Sequence, residues 1–185
     1  MNSRSVPAII ACAATLGILC SAAPAAPDKY TVTVPNGLAF AEFRGYESWS
    51  VISASEKGGL IAVILGNPVM VNAYENGFPG NGKSFPDGSK LAKIRWNAKR
   101  NEVDPGQPTQ PGTLREVDFM AKDSKRFADS GGWGWAVFSY DTASDTFTPN
   151  TLADKPPQGN DAKCGFACHT LAKNRDYVFT AYPNR

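Results

Sequence analysis

Imidazole is nearly absent: His169 is the only histidine among 185 residues. Thiols are scarce too, with four cysteines in all. Two of them, Cys12 and Cys20, lie in an N-terminal stretch that reads as a secretory signal peptide. It has a short basic start ("MNSR"), an apolar run ("SVPAIIACAATLGILCSAA") and a small-x-small cleavage pattern at Ala23-Pro24-Ala25. Pro7 and Gly17 interrupt the apolar run, which argues against a permanent membrane helix. Leu19 before Cys20 argues against lipid attachment there, and the run ahead of Cys12 is too short to support it. Residues 1–25 are therefore expected to be removed on export to the periplasm, leaving a single domain over 26–185.

That domain also lacks an excess of charge. Arg4 leaves with the leader, so 18 Lys and Arg face 17 Asp and Glu. A balance this close gives no basic field for nucleic acid. No later apolar run is long enough to span a bilayer, and there are no repeats or low-complexity segments. What remains is a chain whose thiols and imidazole are concentrated in one place. Cys164, Cys168 and His169 fall within six consecutive residues.

The patterning between these ends predicts an α+β domain, mainly an antiparallel β-sheet with a few short helices. "GLIAVILG" (59–66) is a bounded apolar run expected as a buried strand. "NPVMVNAYENG" (67–77) is expected as a helix, with Asn67 as N-cap, Pro68 in the first turn and Gly77 at the C-terminal cap. Val69, Met70, Ala73 and Tyr74 share its apolar face. "SKLAKIRWN" and "LREVDFMAK" alternate as strands, and "GWGWAVFSYD" is a strand apolar on both faces. "YVFTAYP" (177–183) is expected as a last strand, "GYESWSVIS" (45–53) as a short amphipathic helical piece, and "SKRFAD" as a helical turn. Residues 104–112 and 148–161 are expected as proline-rich loops.

The Cys/His cluster is one residue longer than the c-type haem motif Cys-x-x-Cys-His. In that motif two thiols form thioethers with the haem and the histidine binds iron. Phe166-Ala167-Cys168-His169 keeps the second half of the spacing. Cys164 is displaced by one residue, about 100° of helical rotation. Gly165 makes a non-helical lead-in cheap, which would bring the first thiol back. A Cys164–Cys168 disulfide in an exported domain is the competing reading. Zinc would need a fourth ligand beyond the two thiols and the imidazole. Sixteen residues follow His169 and none is methionine, so a methionine axial ligand after the motif is not expected.

Several segments, in order, resemble the cytochrome P-460 family, which includes the cytochromes called c′-beta. They are Gly45-Tyr46-Glu47-Ser48-Trp49, "NPVMVNAYENG", "FPDGSKLAK", "KDSKRFADSGGWGWAVFSY", the cysteine–histidine motif and "DYVFTAYP". The resemblance implies a periplasmic domain with covalent haem c on Cys164 and Cys168, commonly a homodimer. It also implies His169 as the proximal iron ligand and an open distal position. Four-helix cytochromes do not fit, because the alternating strands cannot be cut into long amphipathic helices.

The family divides by chemistry. One type bonds a lysine to the haem macrocycle and oxidises hydroxylamine; the c′-beta type binds nitric oxide or carbon monoxide in an apolar pocket. The family's lysine lies five residues past a Phe-x-Asp-Gly, and here that position is Lys93 after Phe85-Pro86-Asp87-Gly88. Asp118 matches the family's acidic residue before "KDSKRF", one methylene shorter, and is the candidate proton acceptor. Strand alternation on its own puts Lys93 with Leu91 and Arg95 on a solvent face, opposite Ala92, Ile94 and Trp96. It puts Asp118 on a solvent face as well. Met70 and Met120 are expected in the core, as are Trp133, Trp135, Phe138 and Tyr140, with one ring a candidate for the haem pocket wall. The expected activity is hydroxylamine oxidation, with electrons passing to a periplasmic partner. The alternatives are gas binding without catalysis and a disulfide-stapled domain without haem.

Overall fold

The computed structural model describes residues 27–151, 157, 159 and 165–183. The predicted signal peptide and Cys164 lie outside the described residues. The centre is one six-stranded sheet in which every strand pairs antiparallel with its sequence neighbour. The strands are β1 (Ser50–Lys57), β2 (Leu60–Gly66), β3 (Lys90–Arg100), β4 (Thr109–Lys122), β5 (Trp133–Asp141) and β6 (Thr146–Pro149). Helix α1 (Pro68–Glu75) connects β2 to β3, and α2 (Phe166–His169) follows the sheet. Among the described residues, no helix is long and apolar enough to cross a membrane.

Both faces of the sheet are covered, and this decides where the site lies. The N-terminal segment runs over one face in three 3-10 turns, Lys29–Thr31, Phe40–Phe43 and Tyr46–Ser48. It buries Phe40, Phe43 and Tyr46 against Ala92, Val117, Phe119 and Phe138. Phe43 stacks on Phe119 with ring centroids 3.9 Å apart, and Phe40 meets Phe119 edge-on at 5.1 Å. Each such ring contributes about 1.5–3 kcal/mol through burial.

The opposite face carries Leu91, Met120, Trp133 and Trp135 from the sheet. It is covered by α1, through Met70, Ala73 and Tyr74, and by the C-terminal segment, through Tyr177 and Val178. Asn67 starts α1 as expected, its side chain accepting from the Met70 N–H at 3.0 Å. The same oxygen accepts from the Lys90 N–H at 3.0 Å, and the side-chain amide donates to the Gly88 carbonyl at 2.8 Å. One side chain thus caps the helix and ties it to the start of β3. Gly77, at φ +83°, ends the helix in the left-handed conformation that glycine adopts most easily.

Four local expectations are corrected. Residues 45–53 are a 3-10 turn followed by β1, not a helix. The loop expected over 104–112 gives way to β4 at Thr109, with Pro111 opposite Ala98. Proline is tolerated there because β5 pairs only with residues 116–122 of β4, so Pro111 lies on an unpaired edge. Val69 is exposed rather than on the buried face of α1. Residues 177–183 form no strand. Their carbonyls serve other groups: Tyr177 O meets the His169 ring, and Thr180 O accepts from the Tyr74 hydroxyl at 3.3 Å.

Candidate functional site

A pocket lies between the second sheet face and the C-terminal segment. Its apolar walls are Ile64, Leu91, Met120 and Trp135 from the sheet, with Val178 and Phe179 from the segment. Its polar groups include Lys93, Asp118 and His169. The empty space is about 580 Å³ counting the open mouth.

The register explains why Lys93 and Asp118 are here and not in solvent. Residues directly opposite in an antiparallel pair share a face. Lys93 is the Cα partner of Ile64 on one side and of Asp118 on the other, and Asp118 in turn pairs with Val137. Leu91, Met120 and Trp135 form the adjacent row. The face that alternation assigns to water is therefore a covered face. The solvent expectation for both residues is corrected by the C-terminal segment, whose packing no strand pattern reveals.

Asp118 is held by Arg95, whose Nη2 donates to Oδ1 at 2.8 Å and lies 2.8 Å from Oδ2. The same nitrogen pairs with Glu116 Oε1 at 2.9 Å. Oδ2 of Asp118 is buried and accepts no aligned hydrogen bond among the described residues. Burial raises the pKa of Asp118, the Arg95 guanidinium works against that rise, and the Glu116 charge adds to it. The result is a carboxylate more basic than an ordinary aspartate, with both oxygens beside the Arg95 guanidinium. Arg95 and Glu116 are site residues that the sequence reading missed. Arg95 lies two residues from Lys93 and Glu116 two residues from Asp118, which holds the signal, but only once the β3–β4 register is known.

His169 ends α2, whose N-cap is Gly165. Gly165 has φ −94° and ψ −145°, so the residue ahead of the helix is itself not helical. The Gly165 carbonyl accepts from the N–H groups of Cys168 (3.1 Å) and His169 (3.0 Å). The imidazole lies 5.4 Å from the Trp135 ring and 4.9 Å from that of Phe179, centroid to centroid. Its Nδ1 is 2.5 Å from the Tyr177 carbonyl oxygen. A carbonyl can only accept, so Nδ1 carries the proton and the lone pair of the neutral ring is on Nε2. That is the tautomer of a metal-ligating histidine with an outer partner. Cys168, the adjacent residue, is exposed. Among the described residues, which do not include Cys164, no cluster of three or more His, Cys, Asp or Glu side chains could hold a metal ion.

A family model for cytochrome P-460 matches residues 43–180, most of the chain. The chain belongs to the cytochrome P-460 family. No curated protein matches it. Membership implies a haem cofactor, and the residues of the pocket fit one. The walls are apolar and aromatic, an imidazole presents the right tautomer, and a thiol adjoins it on the same short helix. Trp135 is the ring of the aromatic cluster that lines the pocket. Trp133 and Phe138 are buried away from it, Phe138 on the other sheet face.

Proposed function

We propose that this is an exported, periplasmic c-type haem protein that oxidises hydroxylamine at an iron with an open coordination position. The carrying observation is that Lys93 and Asp118 are cross-strand partners in the pocket that also contains His169. His169 would hold the iron through Nε2, the ring nitrogen left with the lone pair. Cys168, with Cys164 ahead of it, supplies the thiols for covalent attachment. Lys93 stands where the hydroxylamine-oxidising members that this chain resembles bond a lysine to the macrocycle.

Bound haem supplies an iron able to take electrons from a small nitrogen ligand. The chain's residues supply the rest. Asp118, made more basic by burial, accepts a proton from the substrate's N–H or O–H group, and Arg95 keeps the carboxylate oriented. Ile64, Leu91, Met120 and Phe179 keep bulk water from the reacting ligand. A periplasmic electron-transfer partner receives the electrons, and the family resemblance favours a homodimer.

A second reading, a nitric oxide or carbon monoxide binder without catalysis, is favoured by the largely apolar lining. Hydroxylamine-dependent reduction of an artificial electron acceptor separates the two. Wild-type protein is expected to turn over, and Lys93→Leu to abolish turnover and restore an ordinary c-haem spectrum. Asp118→Asn should slow turnover by about 100-fold or more. Wild-type protein that binds nitric oxide and ignores hydroxylamine would establish the second reading instead.

A further inference from the structure

Asp176 and Tyr177, behind the histidine, are both in the left-handed region, with φ of +50° and +63°. For a residue as bulky as tyrosine this is a costly conformation, and it persists only where surrounding contacts impose it. Those contacts come from the end of β4. Lys122 Nζ lies 2.8 and 3.0 Å from the two carboxylate oxygens of Asp176 and donates to the Gly131 carbonyl at 2.9 Å. Asp176 Oδ2 also accepts from the Phe85 N–H at 2.7 Å. The Lys122 and Asp176 side chains are 5% and 9% exposed, so the pair is buried. A buried ion pair is weak evidence for stability, because desolvation offsets the attraction, but it fixes geometry well. Gly131 completes the arrangement: a Cβ there would lie 2.2 Å from Cε2 of Tyr177. With the ring seated on Gly131 and Asp176 clamped, the Tyr177 carbonyl meets Nδ1 of His169.

We propose that the Lys122–Asp176 ion pair and Gly131 position the Tyr177 carbonyl, and through it set how strongly His169 donates to iron. The inference rests on His169 being the iron ligand. A well-placed acceptor on Nδ1–H makes the imidazole more electron-rich, which strengthens its bond to iron and favours the ferric state. Lys122, Asp176 and Gly131 are positioning residues and touch no reacting atom.

The test compares Lys122→Met, Asp176→Asn and Gly131→Ala in the haem-loaded protein. The readouts are the ferrous iron–imidazole stretching frequency and the reduction potential. Asp176→Asn is the mildest change, because asparagine tolerates the left-handed region and still accepts from Phe85. Phe40→Leu, in the core of the other sheet face, controls for lost stability alone. All three site variants should lower the stretch and raise the potential, while the control lowers the melting temperature and moves neither. The charge changes make the test sharp. Acting only through space, loss of the Lys122 cation would lower the potential and loss of the Asp176 anion would raise it. Opposite shifts from those two variants, or no shift, would overturn the proposal. A wild-type protein without an iron–imidazole band would overturn the reading of His169 beneath it.

Discussion

Lys93 and Asp118 have the same alternating neighbours whether their side of the strand meets water or a covered pocket. That is why the family resemblance proposed both positions for the site while periodicity assigned them to solvent. Burial then gives Asp118 a property that only its surroundings confer, a raised pKa. The folded chain keeps the Asp118 proton at pH values where the unfolded chain, with a carboxyl near 3.9, has lost it. Asp118 therefore favours folding below that window, and the contribution is lost as pH rises through the raised pKa. Asp118→Asn should remove this loss, so its urea midpoint falls less than the wild-type midpoint as pH rises from about 4 toward neutrality. Parallel curves for the two proteins would show that Asp118 titrates as an exposed aspartate does.

Helix α1 and strand β2 were legible because their signals are local: a cap, a proline, a glycine and a bounded apolar run. Asn67 also makes bonds that no local pattern shows, to Lys90 and Gly88. Asn67→Ala should cost about 2 kcal/mol or more, the upper end for a lost cap, as read from urea unfolding. A change near 0.5 kcal/mol, the lower end for a lost cap, would mean that the β3 tether contributes nothing. The C-terminal segment was misread for the opposite reason. Its alternating apolar residues fit a strand, yet Asp176 and Tyr177 turn left-handed and its carbonyls serve His169 and Tyr74. At α2, Phe166–His169 is helical, so Cys168 keeps a fixed relation to His169. Cys168→Ala should abolish covalent haem, while Cys164→Ala leaves some product with a single thioether. Mass spectrometry of the two denatured variants separates these outcomes, and equal loss in both would show that the two thiols act together.

Across the whole molecule, the antiparallel sheet was readable from alternation, and the arrangement of its two coverings was not. β1 and β6 are edge strands with weak apolar patterns, and their polar residues disguised them. The N-terminal segment closes one face with aromatic rings, and the C-terminal segment closes the other incompletely, leaving the pocket beside His169. That open space beside His169 underlies the proposed haem chemistry. Its most direct test is the intact mass and absorption spectrum of wild-type protein from a host competent for c-haem maturation. The account predicts a chain lacking residues 1–25 that carries one haem retained after denaturation, with a spectrum displaced from that of an ordinary c-haem by the Lys93 bond. A chain with no haem, and with Cys164 and Cys168 oxidised to each other, would contradict it.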